Sequence, residues 1–317
     1  MFNTILVTGG AGFIGGNFLL YMVPRHPKTT FINVDKLTYA SKIKSLAAIN
    51  HRNNYFFVQG DIADSRAVES VFQNGIDAVV HFAAESNVDR SIANPQLFVT
   101  TNILGTCNLL EWSKRREVKK FIHVSTDKVY GSLDHEGVFT ELSPLAPNNP
   151  CSSTKAAADC MVRAYHKTHG LNVNITRSSN NYGPHQNEEK FIPGVIKQAL
   201  RDEPVFIYGD GRQVRDWIYV EDHCRALESV LLRGSAGEVY NVGAEEEMVN
   251  LELAGSILHI LGKSSSLLRF VEDRPGHDRR CAVNANKIRR ELGWKPVHSM
   301  DTALKRTVNW YAEAISP

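Results

Sequence analysis

Thr8-Gly9-Gly10-Ala11-Gly12-Phe13-Ile14-Gly15 is the stretch on which the fold turns. It follows an apolar run, Thr4-Ile5-Leu6-Val7, and opens an amphipathic segment over residues 13–23. Glycines at Gly9, Gly12 and Gly15 permit a tight turn, close backbone approach to a pyrophosphate and close packing of a helix on a sheet. The helix start, at Phe13 and Ile14, presents free N–H groups and a partial positive charge to phosphate oxygens. Asp35 ends the second apolar run, 20 residues after Gly15. A carboxylate there accepts hydrogen bonds from both ribose hydroxyls and repels a 2′-phosphate, so NAD is favoured over NADP. Lys36 follows at once and softens that preference. Asp61-Ile62, after the third run, are placed to reach an adenine.

Outward from this motif the first half of the chain alternates. Buried strands are expected at 4–7, 31–35, 55–59, 78–82 and 120–125, each bounded by polar or glycine-containing turns. Helical stretches lie between and after them at 13–23, 65–73, 98–115 and 152–169. This rhythm implies an α/β fold, a Rossmann-type doubly wound parallel sheet with helices on both faces. The near-continuous apolar strands agree, since both faces of such a sheet are covered. Beyond residue 176 the rhythm loosens into Asn- and Gly-rich turns, with helices expected at 251–261 and 300–315. The expected division is a Rossmann domain over 1–176, to which 212–240 returns. A smaller mixed α/β substrate lobe is then built from 177–211 and 241–317.

Composition narrows the function. A formal net charge of +2 over 317 residues, without basic blocks interleaved with aromatics, argues against nucleic acid. No apolar run reaches the roughly 18 residues of a membrane span, and no charged leader with a cleavage site precedes the first strand. Five cysteines show neither CxxC pairing nor zinc-ligand spacing. A cytoplasmic protein without a metal is the expectation.

A family resemblance rests on several further stretches. They are His81-Phe82-Ala83-Ala84-Glu85-Ser86-Asn87-Val88-Asp89-Arg90-Ser91, Val124-Ser125-Thr126-Asp127-Lys128-Val129-Tyr130-Gly131 and Arg177-Ser178-Ser179-Asn180-Asn181-Tyr182-Gly183-Pro184. Arg215-Asp216-Trp217 and Arg274-Pro275-Gly276-His277-Asp278-Arg279-Arg280 complete the set. With the glycine motif, they make the chain resemble the extended short-chain dehydrogenase/reductases, and among them the dTDP-glucose 4,6-dehydratases. That resemblance implies a cyclic redox reaction on a nucleotide sugar. A hydride leaves sugar C4 for NAD, water is lost across C5 and C6, and the hydride returns to C6. It also implies roles. Thr126 holds the C4 oxygen, Asp127 is the acid for the C6 hydroxyl, and Lys155 binds the nicotinamide ribose. Ala83 and Ala84 line the cofactor. Ser86, Asn180 and Lys190 meet the sugar or diphosphate, Arg215 and Arg274 the diphosphate, and Asn241 and His277 the nucleotide end.

Two positions depart from the family pattern. Cys151 stands where the catalytic tyrosine is found, and Lys128 where a glutamate serves as the C5 base. A thiol is the stronger acid, near 8.5 against about 10 for a phenol, and a lysine nearby favours thiolate. It is also shorter, so a base there needs a bridging water. Lys128 is expected to act as base if desolvation or Lys155 lowers its pKa. Asn87, where a histidine is common, is a milder change. Three readings stay open. One is a 4,6-dehydratase on a dTDP- or UDP-hexose. A second converts a 5,6-ene nucleotide sugar by C4 oxidation, C6 reduction and C5 protonation, and a third binds nucleotide sugar without turnover. A homodimer through the helices at 98–115 and 152–169 is also expected, although Leu104, Leu109, Leu110, Met161, Val162 and Tyr165 equally suit packing on the sheet.

Overall fold

The computed structural model describes residues 2–134 and 136–315. Seven parallel strands form its centre: β1 (Thr4–Thr8), β2 (Thr30–Asp35), β3 (Tyr55–Gln59), β4 (Ala78–His81), β5 (Lys120–Thr126), β6 (Val173–Ser178) and, late in the chain, β10 (Val239–Val242). Their order is β10-β6-β5-β4-β1-β2-β3, so the direction of winding reverses between β1 and β4. In such a sheet the crevice beyond the strand ends at this reversal is where a ligand enters. Gly9–Gly15 follows β1 at that place.

Both faces are covered, as the unbroken apolar strands require. Helices α1 (Phe13–Arg25), α8 (Val220–Arg233) and α10 (Asn286–Leu292) pack one face through Phe18, Leu19, Leu227 and Ile288. Helices α2 (Ser65–Phe72), α5 (Gly105–Arg115) and α6 (Pro150–His169) pack the other through Phe72, Leu109, Leu110 and Val162. Helix α6 starts two residues earlier than expected. Asn149 accepts the Ser152 N–H at 3.0 Å and Pro150 sits in the first turn, where a missing N–H costs nothing.

The helix expected over 98–115 is present but changes pitch within its first turns. Short helices α3 (Val88–Ala93) and α4 (Pro95–Phe98) lead into a π-helical stretch, Val99–Leu104, before α5 begins. The wider turn rolls Asn102 inward. Its side chain bonds the Glu85 N–H and C=O and the Thr154 hydroxyl, tying the β4 loop to α6. A π-bulge used in this way commonly marks a functional site.

The second lobe gathers around β9 (Val214–Tyr219). That strand pairs with β7 (Asn180–Tyr182), β11 (Glu247–Val249) and β13 (Arg280–Cys281). Strands β8 (Val205–Tyr208) and β12 (Leu268–Val271) form a separate parallel pair. Helices α7 (Phe191–Leu200), α9 (Asn250–Ile260) and α11 (Met300–Ile315) enclose its core with Ile196, Ile257 and Leu304. The segment 212–240 therefore divides. β9 belongs to the small sheet, while α8 and β10 return to the large one. Helix α10, within 241–317, also packs against the large domain.

Candidate active site

The cofactor end is shaped by steric constraint. Gly9 has φ +74°, and a Cβ there would lie 2.5 Å from the Ala83 N; a Cβ on Gly15 would lie 2.4 Å from the Gly9 oxygen. No side chain fits either place, so the backbone turns as tightly as a pyrophosphate cradle needs. The loop is then tied down. Gly9 N–H donates to the Val34 oxygen at 2.8 Å, and Ala11 N–H to Asp35 Oδ2 at 3.0 Å. Asp35 also accepts from Leu37 N–H and the Ser41 hydroxyl through Oδ1. Each carboxylate oxygen has about two acceptor sites; those of Oδ1 are filled and Oδ2 keeps one, which leaves room for a single ribose hydroxyl in place of the two expected. The residues fit a dinucleotide.

Lys36 does not stand free beside this carboxylate. Its ammonium donates to Thr101 Oγ1 at 3.0 Å and lies 3.3 Å from Glu85 and 3.8 Å from Asp61. Two carboxylates and a hydroxyl thus hold the charge expected to soften the cofactor preference. Glu85, absent from the sequence-derived site, is the buried partner. Ile62 is buried and would touch a Cβ placed on Gly105, so its side chain braces α5. Ala83 and Ala84 follow β4 and are half-buried beside the glycine turn.

The end of β5 carries the candidate reacting groups. Thr126 Oγ1 donates to Asp127 Oδ1 at 3.1 Å and accepts the Lys128 N–H at 3.3 Å. Asp127 is 1% exposed, and burial lifts its carboxyl above the usual range against the pull of Lys128 and Thr126. A buried carboxyl in that state is a proton donor. Among the described residues its Oδ2 has no hydrogen-bond partner, and the half-buried Lys128 ammonium has neither a hydrogen bond nor an ion pair.

Helix α6 brings Cys151 and Lys155 to the same place, one turn apart. Lys155 donates to the Val124 oxygen at 2.7 Å, and burial pulls its pKa down to about 8, with Asp159 and Cys151 opposing. Cys151 Sγ faces the Glu85 oxygen at 3.9 Å. Burial pushes the thiol up, outweighing Lys190, Lys155 and Lys128. The thiolate expected from neighbouring lysines is therefore not the resting form at neutral pH, because desolvation exceeds their attraction. Beneath them Asp159 and Arg177 form a buried pair at 2.8 Å, and Arg177 reaches the Tyr130 hydroxyl at 2.9 Å. His81, wedged between the hydroxyls of Thr8 and Thr106, is structural.

The outer residues divide. Ser86 is exposed and its carbonyl accepts from Lys190 Nζ at 3.0 Å, across the cleft between the lobes. Asn87 caps α3 and reaches Glu189 at 2.8 Å. Asn180 begins β7, half-buried. Arg274 lies over the Tyr208 ring at 4.1 Å and pairs with Asp89 at 3.3 Å, while His277 bonds Asp273 at 2.6 Å. Arg215 and Asn241 are held inside instead. Arg215 is 4% exposed and donates to the carbonyls of Val214, Asp278 and Arg279. Asn241 has no exposure; it accepts from Tyr130 and donates to the Phe139 and Asn284 carbonyls. Strand pairing and loop return engage these two polar groups, which their spacing alone did not disclose.

Comparison with known proteins agrees with this geometry. A family model described as GDP-mannose 4,6 dehydratase matches residues 6–307. The dTDP-glucose 4,6-dehydratase of Xanthomonas campestris pv. campestris (strain B100) is 49% identical, over 97% of this chain and 93% of that protein. The crystal structure of DesIV, a dTDP-glucose 4,6-dehydratase from Streptomyces venezuelae with NAD bound, superposes with a TM-score of 0.94 at 46% identity, covering 98% and 97% of the two chains. UDP-glucose 4-epimerase of Thermotoga maritima, solved with UDP-glucose, gives 0.92 at 30% identity, over 99% and 100%. The chain belongs to the GDP-mannose 4,6 dehydratase family, within the NAD-dependent nucleotide-sugar dehydratases and epimerases.

Proposed function

We propose that the protein converts a dTDP- or UDP-hexose to its 4-keto-6-deoxy sugar, with NAD as cofactor. The observation that carries this reading is Asp127, buried beside the half-buried Thr126, its carboxyl lifted by burial and one oxygen without a partner among the described residues, next to Lys128. Bound NAD supplies reversible hydride acceptance, from sugar C4 and back to C6. The glycine turn, with Phe13 and Ile14 at the helix start, holds the pyrophosphate, and Asp35 holds the adenine ribose. Lys155 binds the nicotinamide ribose. With its pKa near 8, it also takes the C4 hydroxyl proton, through a water beside the protonated Cys151. Thr126 positions the C4 oxygen, Lys128 in its neutral amine form removes the C5 proton and returns one as the ammonium, and Asp127 protonates the departing C6 hydroxyl. Ser86, Asn180, Lys190, Arg274 and His277 line the approach for sugar and diphosphate.

The dTDP- and UDP-linked sugars named for the relatives define the substrates to try first. Product masses from dTDP-glucose and UDP-GlcNAc, each incubated in D₂O with NAD-loaded protein, test the reading. Loss of one water with deuterium incorporated is expected from one of them. Both returned unchanged overturns it for these sugars.

A homodimer is part of the proposal. Leu109, Leu110 and Val162 face the sheet, but Ile92 on α3 and Val99 and Leu104 on the π-helical stretch remain exposed. A monomeric mass at micromolar concentration would exclude it. All five cysteines are free and no helix among the described residues is long and apolar enough to cross a membrane, which supports a cytoplasmic setting.

A further inference from the structure

Among the described residues, the buried polar atoms near the reacting groups without a partner of hydrogen-bonding geometry include Asp127 Oδ2, Ser179 Oγ and Asp216 Oδ2, so the three are neighbours that a small turn of the Ser179 hydroxyl must bring into contact. Strand register brings their residues together. Thr126 pairs with Ser178 across β5 and β6, and Asn180 pairs with Trp217 across β7 and β9. Asp127 follows Thr126, Ser179 lies between Ser178 and Asn180, and Asp216 precedes Trp217. The three therefore occupy adjoining positions, in that order, where the two sheets meet. They are 1%, 3% and 1% exposed.

Asp216 alone of the three also lines a cavity of about 250 Å³, with Glu245, Glu247 and Asn284. Its Oδ1 accepts the Glu246 N–H at 3.0 Å. Its Oδ2 is held against Gly243, where a Cβ would come within 2.4 Å. Burial lifts Asp216 to about 7, Asp127 and Glu247 adding to the rise while the Glu246 N–H and the Ser179 hydroxyl oppose it. Lys128, Arg215 and Asp278 act on Asp127 beside Asp216 itself. A carboxyl that titrates near neutrality, has a free oxygen and borders a second cavity is suited to hand protons inward.

We propose that Ser179 and Asp216 form a proton path that reloads Asp127 from this second cavity, so that the acid recovers without admitting water on the substrate side. The proposal rests on the dehydratase reading above. Asp127 gives its proton to the C6 hydroxyl, the C6–O bond breaks and water leaves, and Asp127 remains as carboxylate. The Ser179 hydroxyl donates its proton to Asp127 and takes one from the Asp216 carboxyl. Asp216 is reprotonated by water or buffer acid in the cavity. The proton removed from the C4 hydroxyl goes to solvent, and the C5 proton removed by Lys128 is returned, so no proton is gained or lost per cycle. Ser179 and Asp216 act through Asp127 as positioning residues.

The test is steady-state kinetics of Ser179→Ala, Ser179→Thr and Asp216→Asn with NAD-loaded enzyme. A proton-transfer device of this kind contributes one or more powers of ten. Ser179→Ala is expected to lower kcat about tenfold with KM unchanged and to enlarge the solvent deuterium effect, while Ser179→Thr restores both. In the wild type, with Lys155 near 8 as base and Asp216 near 7 as acid, kcat should peak between those values and fall on the alkaline side, because Asp216 is then emptied; Asp216→Asn should remove that alkaline limb. Unchanged kcat and pH profile in Ser179→Ala and Asp216→Asn would overturn the path, as would equal losses in Ser179→Ala and Ser179→Thr. Should the wild type dehydrate no nucleotide sugar, the functional reading fails separately. Carbon-13 titration of the aspartate carboxyls then decides the path: Ser179→Ala shifts the Asp127 and Asp216 midpoints if they communicate and leaves both in place if they do not.

Discussion

The cofactor turn and the candidate reacting centre sit at the ends of β1 and β5, on either side of β4, but are built on opposite terms. In the turn, hydrogen bonds and steric contact are closed internally: Gly9 against Ala83, Gly15 against Gly9, Asp35 against Ala11, Leu37 and Ser41. At the end of β5 and the start of α6, Asp127 Oδ2 and the Lys128 ammonium lack partners among the described residues, and Asp127 and Lys155 are both shifted toward neutrality by burial. A binding cradle benefits from being pre-formed, because rigidity lowers the ordering cost of the ligand. A proton-transfer site instead keeps groups desolvated and incompletely paired, at a cost in stability.

Substitutions can break or sharpen this contrast. The largest effect belongs to Asp127→Asn, which keeps the shape and removes the acid. Turnover should fall by about 10²–10⁴ while NAD affinity, followed by fluorescence titration, stays as in the wild type. Equal losses in both would mean that the two regions are not separable.

Lys155→Met should cost turnover but raise stability at neutral pH. Its pKa falls from 10.5 in the unfolded chain to about 8 in the fold. Between those values the unfolded chain holds a proton that the folded one has released, so the lysine's contribution improves as pH rises through that window. At about 1.4 kcal/mol per pH unit, the advantage of the methionine variant at pH 7 is roughly 3 kcal/mol and fades toward pH 10.5. Urea midpoints of both proteins across that range check the sign. A smaller change is expected at the turn. Gly15→Ala forces its Cβ onto the Gly9 oxygen, an overpacking cost of about 1–3 kcal/mol, read as weaker NAD binding with the Asp127 chemistry intact at saturation.

Thiol alkylation followed by mass spectrometry gives the mildest test. Exposed Cys160 should react first, Cys151 more slowly because burial holds it as thiol, and buried Cys224 and Cys281 last. Saturating NAD should slow Cys151 and leave Cys160 unaffected.

Much of this arrangement was legible in the chain. The glycine spacing, Asp35 at the end of a strand and the alternation of apolar runs are local properties, and local steric rules translate them directly into a turn, a carboxylate position and a parallel sheet. The departures at Lys128 and Cys151 were legible too, as residue types. Their state was not, because a pKa depends on the neighbours that folding supplies: the same lysines that suggested a thiolate are outweighed by desolvation around Cys151. Arg215 and Asn241 show a similar limit. As sequence they are polar groups in motif-bearing stretches, yet pairing with distant strands and loops turns both inward.

The sequence by itself therefore determined the fold class and the cradle for a dinucleotide, since each follows from spacing and backbone sterics within a short window. Only the tertiary structure decided that Lys36 is held by Glu85 and Asp61, that Asn102 joins the β4 loop to α6, and that Asp127, Ser179 and Asp216 stand in one row. Those relations join residues far apart in the chain. They exist through strand register and burial, which set distance and dielectric together.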